Sequence, residues 1–264
     1  MTSLPPRALA FGIAVCMGTV APSAVLGQAM PQTGPAVTSQ STVDPQSVAA
    51  LKRMSAYLAT LNTFELRSEG SLDVVTEEGQ RVQLDGVTNY KFRRPGFVID
   101  FESDLKSRRF IYDGKNFTVY APKMGFYATV PAPATNREVL ELAYNQYGIK
   151  LPLEDLFRWN DPNSVRADKL ISGYQLGTAT LDGVKTDHYV FREKEIDWEV
   201  WIQQGNQPLP RKMVIIDRTQ SEFPTFIARL QWKVNPTLTD ADFAFVPDKD
   251  AKRIELAIFE GTGE

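Results

Sequence analysis

Cysteine and histidine are almost missing from this sequence of 264 residues, in which Cys16 and His188 are the only two. Zinc sites built from cysteine and histidine need several such ligands, and a cysteine–histidine catalytic pair needs both side chains close together. One residue of each type leaves almost no basis for either arrangement. We therefore predict no metal site.

An excess of basic charge and the common catalytic motifs are missing too. The chain has 29 Lys and Arg residues against 32 Asp and Glu, for a net charge of −3. Proteins that bind nucleic acid need clustered positive charge to neutralise phosphates, so we predict no nucleic-acid partner. The sequence contains no nucleophile elbow, phosphate-binding loop or zinc-protease motif. We therefore predict a protein that is not an enzyme and has no cofactor.

The longest apolar stretch lies near the N-terminus and is too short to span a membrane. It covers residues 8–20 and follows Arg7, the only charged residue of this leading segment. A spanning helix needs about 20 apolar residues, and Pro22 interrupts this one. A basic start, a short apolar segment and then small residues are typical of a secretory signal peptide. We predict a cleaved signal peptide over residues 1–29, with cleavage after Gly27 and an uncleaved membrane anchor as alternatives.

Cys16 lies inside the predicted signal peptide. A lipoprotein signal needs a small residue at the position of Val15, so we predict that the chain is not a lipoprotein. Residues 30–43 are uncharged and rich in Pro, Thr, Ser and Gln, which is typical of a flexible leader. The mature chain then has no cysteine and no transmembrane span, and we expect it in the periplasm, with the cell exterior left open.

The rest of the sequence predicts one helix followed by many strands. Asp44 and Pro45 suit the N-cap and the first turn of a helix, and apolar residues then recur at steps of three and four. From Phe64 onward apolar and polar residues alternate, and Asp-Gly pairs mark hairpin turns. Two helical segments interrupt the strands between residues 135 and 158, the second of them over residues 153–158.

This order of elements predicts a fold of the α+β class that is mainly β. Consecutive strands joined by turns favour one antiparallel sheet, and ten to eleven strands are enough to curl it into an unclosed barrel. Helices would cover its apolar face. We predict a single half-barrel domain over residues 44–258, closed by a short strand at 254–258.

Two polar groups invite a catalytic interpretation that we do not favour. His188 follows Asp187 in a predicted strand, where adjacent side chains point to opposite faces, so a structural histidine is favoured over a general base. The acidic residues between Glu193 and Glu199 alternate as on a solvated strand face. They lack the loop and the glycine of a calcium site, and we favour the solvated face over a glycosidase pair.

Apolar side chains on one face of most strands predict the lining of a concave surface. Core packing accounts for part of this surface, and a sheet of this size also has room for an apolar cavity. From strand alternation the predicted cavity lining is Phe97, Ile99, Phe101, Phe117, Val119, Phe126, Val214, Ile216, Phe226, Leu230 and Trp232.

The strongest local concentration of basic charge suggests a rim that contacts lipid head groups or a partner. Acidic residues lie between its members, which favours an ordinary mixed surface. The candidate rim residues are Arg93, Arg94, Arg108 and Arg109.

Several sequence motifs are similar to those of a known superfamily. Residues 90–99 and 110–120 contain the elements Arg-Arg-Pro95-Gly and Asp-Gly114-Lys, and residues 242–247 contain Phe-Ala-Phe-Val-Pro. This pattern resembles LolA-like periplasmic proteins. Further motifs at 127–133, 198–202 and 207–212 resemble the predicted periplasmic proteins called domain of unknown function 2092.

The resemblance implies an unclosed β-barrel around helices, with a hydrophobic cavity that in related groups carries the acyl chains of lipoproteins or lipids. The lipoprotein carrier lacks the helical insert at 135–158, so the resemblance does not imply that this chain binds the same cargo. The hypothesis is a secreted, non-enzymatic carrier for a lipid, an acylated protein or another amphiphile. The alternatives are a protein-interaction or stress-sensor module of the envelope with a filled core, and an enzyme using His188.

Overall fold

A computed structural model describes residues 43–151, 153 and 167–259 of the chain. The predicted signal peptide, most of the leader and most of the helix predicted at 153–158 lie outside the described residues, and the domain limits 44–258 stay a prediction. Two α-helices are described, α1 (Pro45–Thr60) and α2 (Asn136–Tyr147), besides short 3₁₀ helices at Pro122–Met124, Ala167–Lys169 and Asp240–Phe243. The strands are β1 (Thr63–Val75), β2 (Arg81–Arg93), β3 (Phe97–Ser103), β4 (Ser107–Tyr112), β5 (Asn116–Ala121), β6 (Phe126–Pro131), β7 (Ser172–Leu181), β8 (Val184–Arg192), β9 (Ile196–Gln203), β10 (Pro210–Asp217), β11 (Thr225–Val234) and β12 (Lys252–Arg253).

All twelve strands form one sheet, in the order β12-β6-β5-β4-β3-β2-β1-β11-β10-β9-β8-β7. Strands β1–β6 and strands β7–β11 each run as consecutive antiparallel hairpins, because short turns return the chain beside the strand it has just left. The two series meet where β1 pairs with β11 from Phe64↔Val234 to Leu72↔Phe226. The sheet is curved and does not close, so the predicted fold class is confirmed.

Both α-helices begin as the sequence predicts and pack on the inner face of the sheet. The Asp44 carboxylate accepts a hydrogen bond from the Gln46 amide at the start of α1. Thr135 and Glu138 form a reciprocal capping box at the start of α2, which satisfies two otherwise unpaired amides. The apolar residues of α1 and α2 join the inner residues of both strand series in one hydrophobic core.

Close packing between α1 and the sheet depends on one glycine. A Cβ atom on Gly173 would lie 2.6 Å from a ring carbon of Phe191 and 3.3 Å from the Ser47 hydroxyl. The 2.6 Å separation is too short for a carbon atom, so glycine makes room for the Phe191 ring, which packs beside the start of α1.

Residues 236–259, which we call the C-terminal strap, cross the outer face of β1–β6. Phe243 is fully buried there against Val98 and Ile111, in a second small hydrophobic cluster. The strap ends with β12 paired to β6 in parallel and a hydrogen bond from the Phe259 amide to the Gln146 carbonyl of α2. The closing strand was predicted at 254–258 and lies instead at β12.

Candidate functional site

The inner face of the sheet combines a covered core and a more open apolar end. Directly paired residues of neighbouring strands point to the same face, so the pairing fixes which side chains lie inside. Phe97, Ile99, Phe117 and Leu230 of the predicted lining are at most 2% exposed and belong to the core with the helices. Val119 and Trp232 pack against that core. These six residues therefore hold the fold together.

Five further inner positions form a surface that we call the apolar floor: Gly70, Leu72, Gly86, Phe101 and Phe226, of which Phe226 also packs against the core. Gly70 pairs with Gly86 across β1 and β2. A Cβ atom on Gly86 would lie 3.2 Å from the Phe101 ring, and one on Gly70 would lie 3.4 Å from the Phe226 ring. The two aromatic rings therefore lie over the glycines, and Leu72 beside them is 46% exposed.

Phe126 lies at the end of β6 on the inner face and is 36% exposed. Its strand neighbour Ala128 is buried in the sheet, and its partner on β5 is Ala121. Of the predicted lining, Phe101 and Phe226 belong to the apolar floor, whereas Phe126 lies on the inner face outside it. The glycine pair was not predicted, although a glycine inside a strand signals close approach of another group.

The predicted positions Val214 and Ile216 do not lie on the inner face. Met213 pairs with Ala228 and Ile215 with Phe226, which places Met213 and Ile215 inside. Val214 and Ile216 alternate with them and therefore point outward. The error arises because Met213 to Ile216 is an unbroken apolar run, in which alternation cannot distinguish the faces.

Arg93 and Arg94 of the candidate rim are engaged within the protein. The Arg93 guanidinium pairs with Asp240 and lies 4.1 Å from the centre of the Phe243 ring, which fixes the C-terminal strap. Arg94 donates hydrogen bonds to the carbonyls of Ala59 and Leu61 at the end of α1. Burial lowers the pKa of the Arg94 guanidinium. Both residues therefore have structural roles.

Arg108 and Arg109 lie toward the other end of the sheet from Arg93 and Arg94 and point to opposite faces. Arg109 pairs with Asp100 on the outer face, with Nε 3.1 Å from the carboxylate. Arg108 pairs in register with Phe101 and alternates with buried Phe110, so it points inward. The four candidate arginines do not form one continuous rim.

A polar cavity of about 360 Å³ is bordered mostly by outer-face residues and also by the inner-facing residues Phe101 and Arg108. The strand partners Arg67, Asn89, Asp100 and Arg109 run across it. Burial is the main cause that raises the pKa of Asp100, and the charges of Arg109 and Lys91 oppose it. The residues that border the cavity are Arg67, Val87, Asn89, Asp100, Phe101, Glu102, Ser107, Arg108, Arg109 and Pro122. This cavity differs in place and polarity from the apolar cavity predicted on the concave surface.

His188 lies on the outer face in a structural arrangement. Its ring stacks on Trp201 with 3.7 Å between centroids, and Nε2 lies 2.7 Å from a carboxylate oxygen of Glu199. Lys212 lies 4.2 Å from the centre of the same indole on the other neighbouring strand. Asp187 points to the opposite face, as predicted from alternation. The sequence did not predict Glu199 as the partner of His188, because their contact depends on the register between β8 and β9.

No group of three or more His, Cys, Asp or Glu side chains that could hold a metal ion occurs among residues 43–151, 153 and 167–259. No helix described by the structure combines the length and apolar character needed to cross a bilayer.

Comparison with known proteins identifies the family. The model of the family described as "Predicted periplasmic protein (DUF2092)" matches residues 47–257. The chain belongs to this family. The family resemblance predicted from the sequence motifs is therefore confirmed. No curated protein shows significant similarity to the chain.

Solved structures that resemble the chain have low sequence identity to it. An uncharacterised conserved protein from Thermus thermophilus is 13% identical, with a TM-score of 0.44 over 80% of this chain and 99% of that one. The lipoprotein LppX of Mycobacterium tuberculosis is 14% identical, with a TM-score of 0.43 over 74% and 98%. A LolA superfamily protein from Nitrosomonas europaea is 7% identical, with a TM-score of 0.36 over 75% and 97%.

Proposed function

We propose that this protein is a non-enzymatic binding protein of the cell envelope that carries an amphiphile. The acyl part of a lipid, an acylated protein or a similar molecule would lie on the apolar floor at the open end of the inner face. The observation that carries this proposal is the pair Gly70 and Gly86, over which the rings of Phe101 and Phe226 lie, beside a Leu72 that is 46% exposed.

The energetic basis is the burial of apolar surface. Each methylene group removed from water contributes about 0.8 kcal/mol, so a chain of several carbons provides useful affinity without polar contacts. Neither Gly70 nor Gly86 has a side chain, and atoms of the Phe226 and Phe101 rings occupy the adjacent space. An exposed leucine on an inner face is suited to contact with such a ligand.

Binding at the inner face can be tested by introducing one charged side chain into the apolar floor. Leu72→Asp places a carboxylate on the apolar floor, and we expect it to weaken binding of a fluorescent fatty acid at least tenfold, because a bound acyl chain would desolvate the charge. Leu176→Asp is the matched control, since Leu176 is 52% exposed on the edge strand β7, four strands away from β11 and the apolar floor. Equal affinity of the two variants would contradict the proposed site.

The cargo itself can be sought in protein purified without detergent. Native mass spectrometry and solvent extraction should detect a co-purifying amphiphile. Protein that is empty and also fails to bind fluorescent fatty acids would contradict carriage of an amphiphile. It would favour the protein-interaction module that the sequence left as the alternative.

We further propose that residues 1–29 direct export and are removed, and that residues 44–258 form the functional domain in the periplasm. The description of the family as predicted periplasmic supports this proposal. N-terminal sequencing of the exported protein should find a start at residue 30 or, by the alternative cleavage, at residue 28. A mature chain that retains Cys16 with a bound lipid would contradict it.

A further inference from the structure

Arg108 is exceptional among the inner-facing residues of β1–β6, strands that the structure describes in full. Apart from Arg108, all inner positions of these strands hold an apolar or aromatic side chain, glycine, serine or threonine. Arg108 lies in the same register row as Phe101 and is half-buried. A cation therefore stands at the edge of the apolar floor.

The guanidinium of Arg108 forms no ion pair with a carboxylate in the described part of the chain. Its hydrogen bonds go to uncharged acceptors, the carbonyl of Ser107 at 2.8 Å and the sulfur of Met124 at 3.8 Å. The nearby carboxylates of Asp100 and Glu102 lie on the outer face. There they pair with Arg109 and Lys123.

A second cation lies beside the same aromatic ring. Nζ of Lys106 is 5.8 Å from the centre of the Phe101 ring, and it also has no ion pair with a described carboxylate. Two positive groups thus flank the end of an apolar surface. A ligand that covers this surface with an alkyl chain would bring its polar end close to them.

We infer that the amphiphile carries an anionic head group, a carboxylate or a phosphate, which Arg108 binds at the edge of the apolar floor. This inference rests on the proposed function, because it specifies the ligand of the same surface. A guanidinium offers several N–H donors that match carboxylate and phosphate oxygens in pairs, and a partly desolvated site strengthens such bonds. Lys106 adds positive charge but not the paired geometry.

The test compares ligands that share one chain and differ in head group. Dodecyl phosphate, dodecanoate, dodecanol and dodecyltrimethylammonium are titrated into the full chain below their micelle concentrations. We expect the two anions to bind about tenfold more tightly than the alcohol, as for a charge-assisted hydrogen bond, and the cation to bind most weakly. The ratio of the affinities for dodecyl phosphate and dodecanoate shows whether the site prefers a phosphate or a carboxylate head group.

Arg108→Gln should lower the ratio of anion affinity to dodecanol affinity from about ten to about one. Arg109→Gln is the matched control, because this residue is adjacent in sequence, points to the outer face and is paired with Asp100. If native protein binds all four ligands equally, or if both variants retain the preference, the inference is wrong and carriage of an amphiphile stands. If no ligand binds native protein, the proposed function fails as well.

Discussion

Asp242 has an unusually stable negative charge for a residue near the surface. The hydrogen bond from Lys91 is the largest cause that lowers the pKa of this carboxyl, and the backbone and hydroxyl donors of Thr239 add to it. Together they lower the pKa from 3.8 to about 2. The folded-state pKa lies below the unfolded one, so this carboxylate contributes stability above about pH 4 and loses it as the pH falls toward 2.

Replacing Lys91 with methionine should raise the pKa of Asp242 part of the way back toward 3.8, because the Thr239 donors remain. The loss of stability in acid linked to Asp242 would then still begin near pH 4 but be smaller and be complete at a higher pH than in the native protein. An NMR titration of the Asp242 carboxyl carbon measures this shift directly. Lys233→Met is the control, since Lys233 pairs with Glu65 elsewhere on the outer face, and it should leave the pKa of Asp242 unchanged.

At the level of residues, the sequence predicts faces correctly where polar and apolar side chains alternate. Phe226, Leu230 and Trp232 alternate with Arg229 and its polar neighbours, and all three lie inside. In β10 the alternation is absent because four apolar residues follow one another. The face of such a strand is set by its neighbours, which no local pattern reveals.

The C-terminal strap shows what sequence periodicity misses at the level of elements. Val98 and Ile111 are apolar at outer positions, where polar residues are expected, and both are 2% exposed beneath Phe243. These two residues are a usable signal that another segment covers the outer face. The segment itself has little regular structure, so its path could not be predicted from periodicity.

Phe243→Ala should detach the strap, because it removes a fully buried ring and the cation–π contact with Arg93. Truncation of a buried phenylalanine costs about 3–5 kcal/mol, and we expect the loss to be local. Hydrogen exchange should accelerate at the β12–β6 amides and remain slow in β1 and β2. Val246→Ala is the control at a position 81% exposed, and it should change neither. Equal acceleration throughout the sheet would show that the strap is not a separate unit.

At the level of the whole molecule, the hairpins join residues close in sequence, whereas the pairing of β1 with β11, which we call the seam, joins residues that are far apart in sequence. Turn motifs such as Asp113-Gly114 and Asp182-Gly183 predict hairpins because the residues that pair are close in sequence. Leu66 pairs with Trp232, which lies in the last long strand. Nothing in either segment specifies the other, so the sequence predicts one sheet but not the place where its two series join.

This difference in sequence separation should appear in the folding kinetics. Ile99→Ala and Leu230→Ala each remove a side chain at most 2% exposed, and each should cost about 2–5 kcal/mol. Ile99 pairs only with hairpin neighbours in β2 and β4, whereas Leu230 pairs with Ser68 across the seam. Because closing a long loop delays distant contacts, Ile99→Ala should mainly slow refolding and Leu230→Ala should mainly speed unfolding. Stopped-flow measurements in denaturant give both rates, and a larger effect of Leu230→Ala on refolding would mean that the seam forms first.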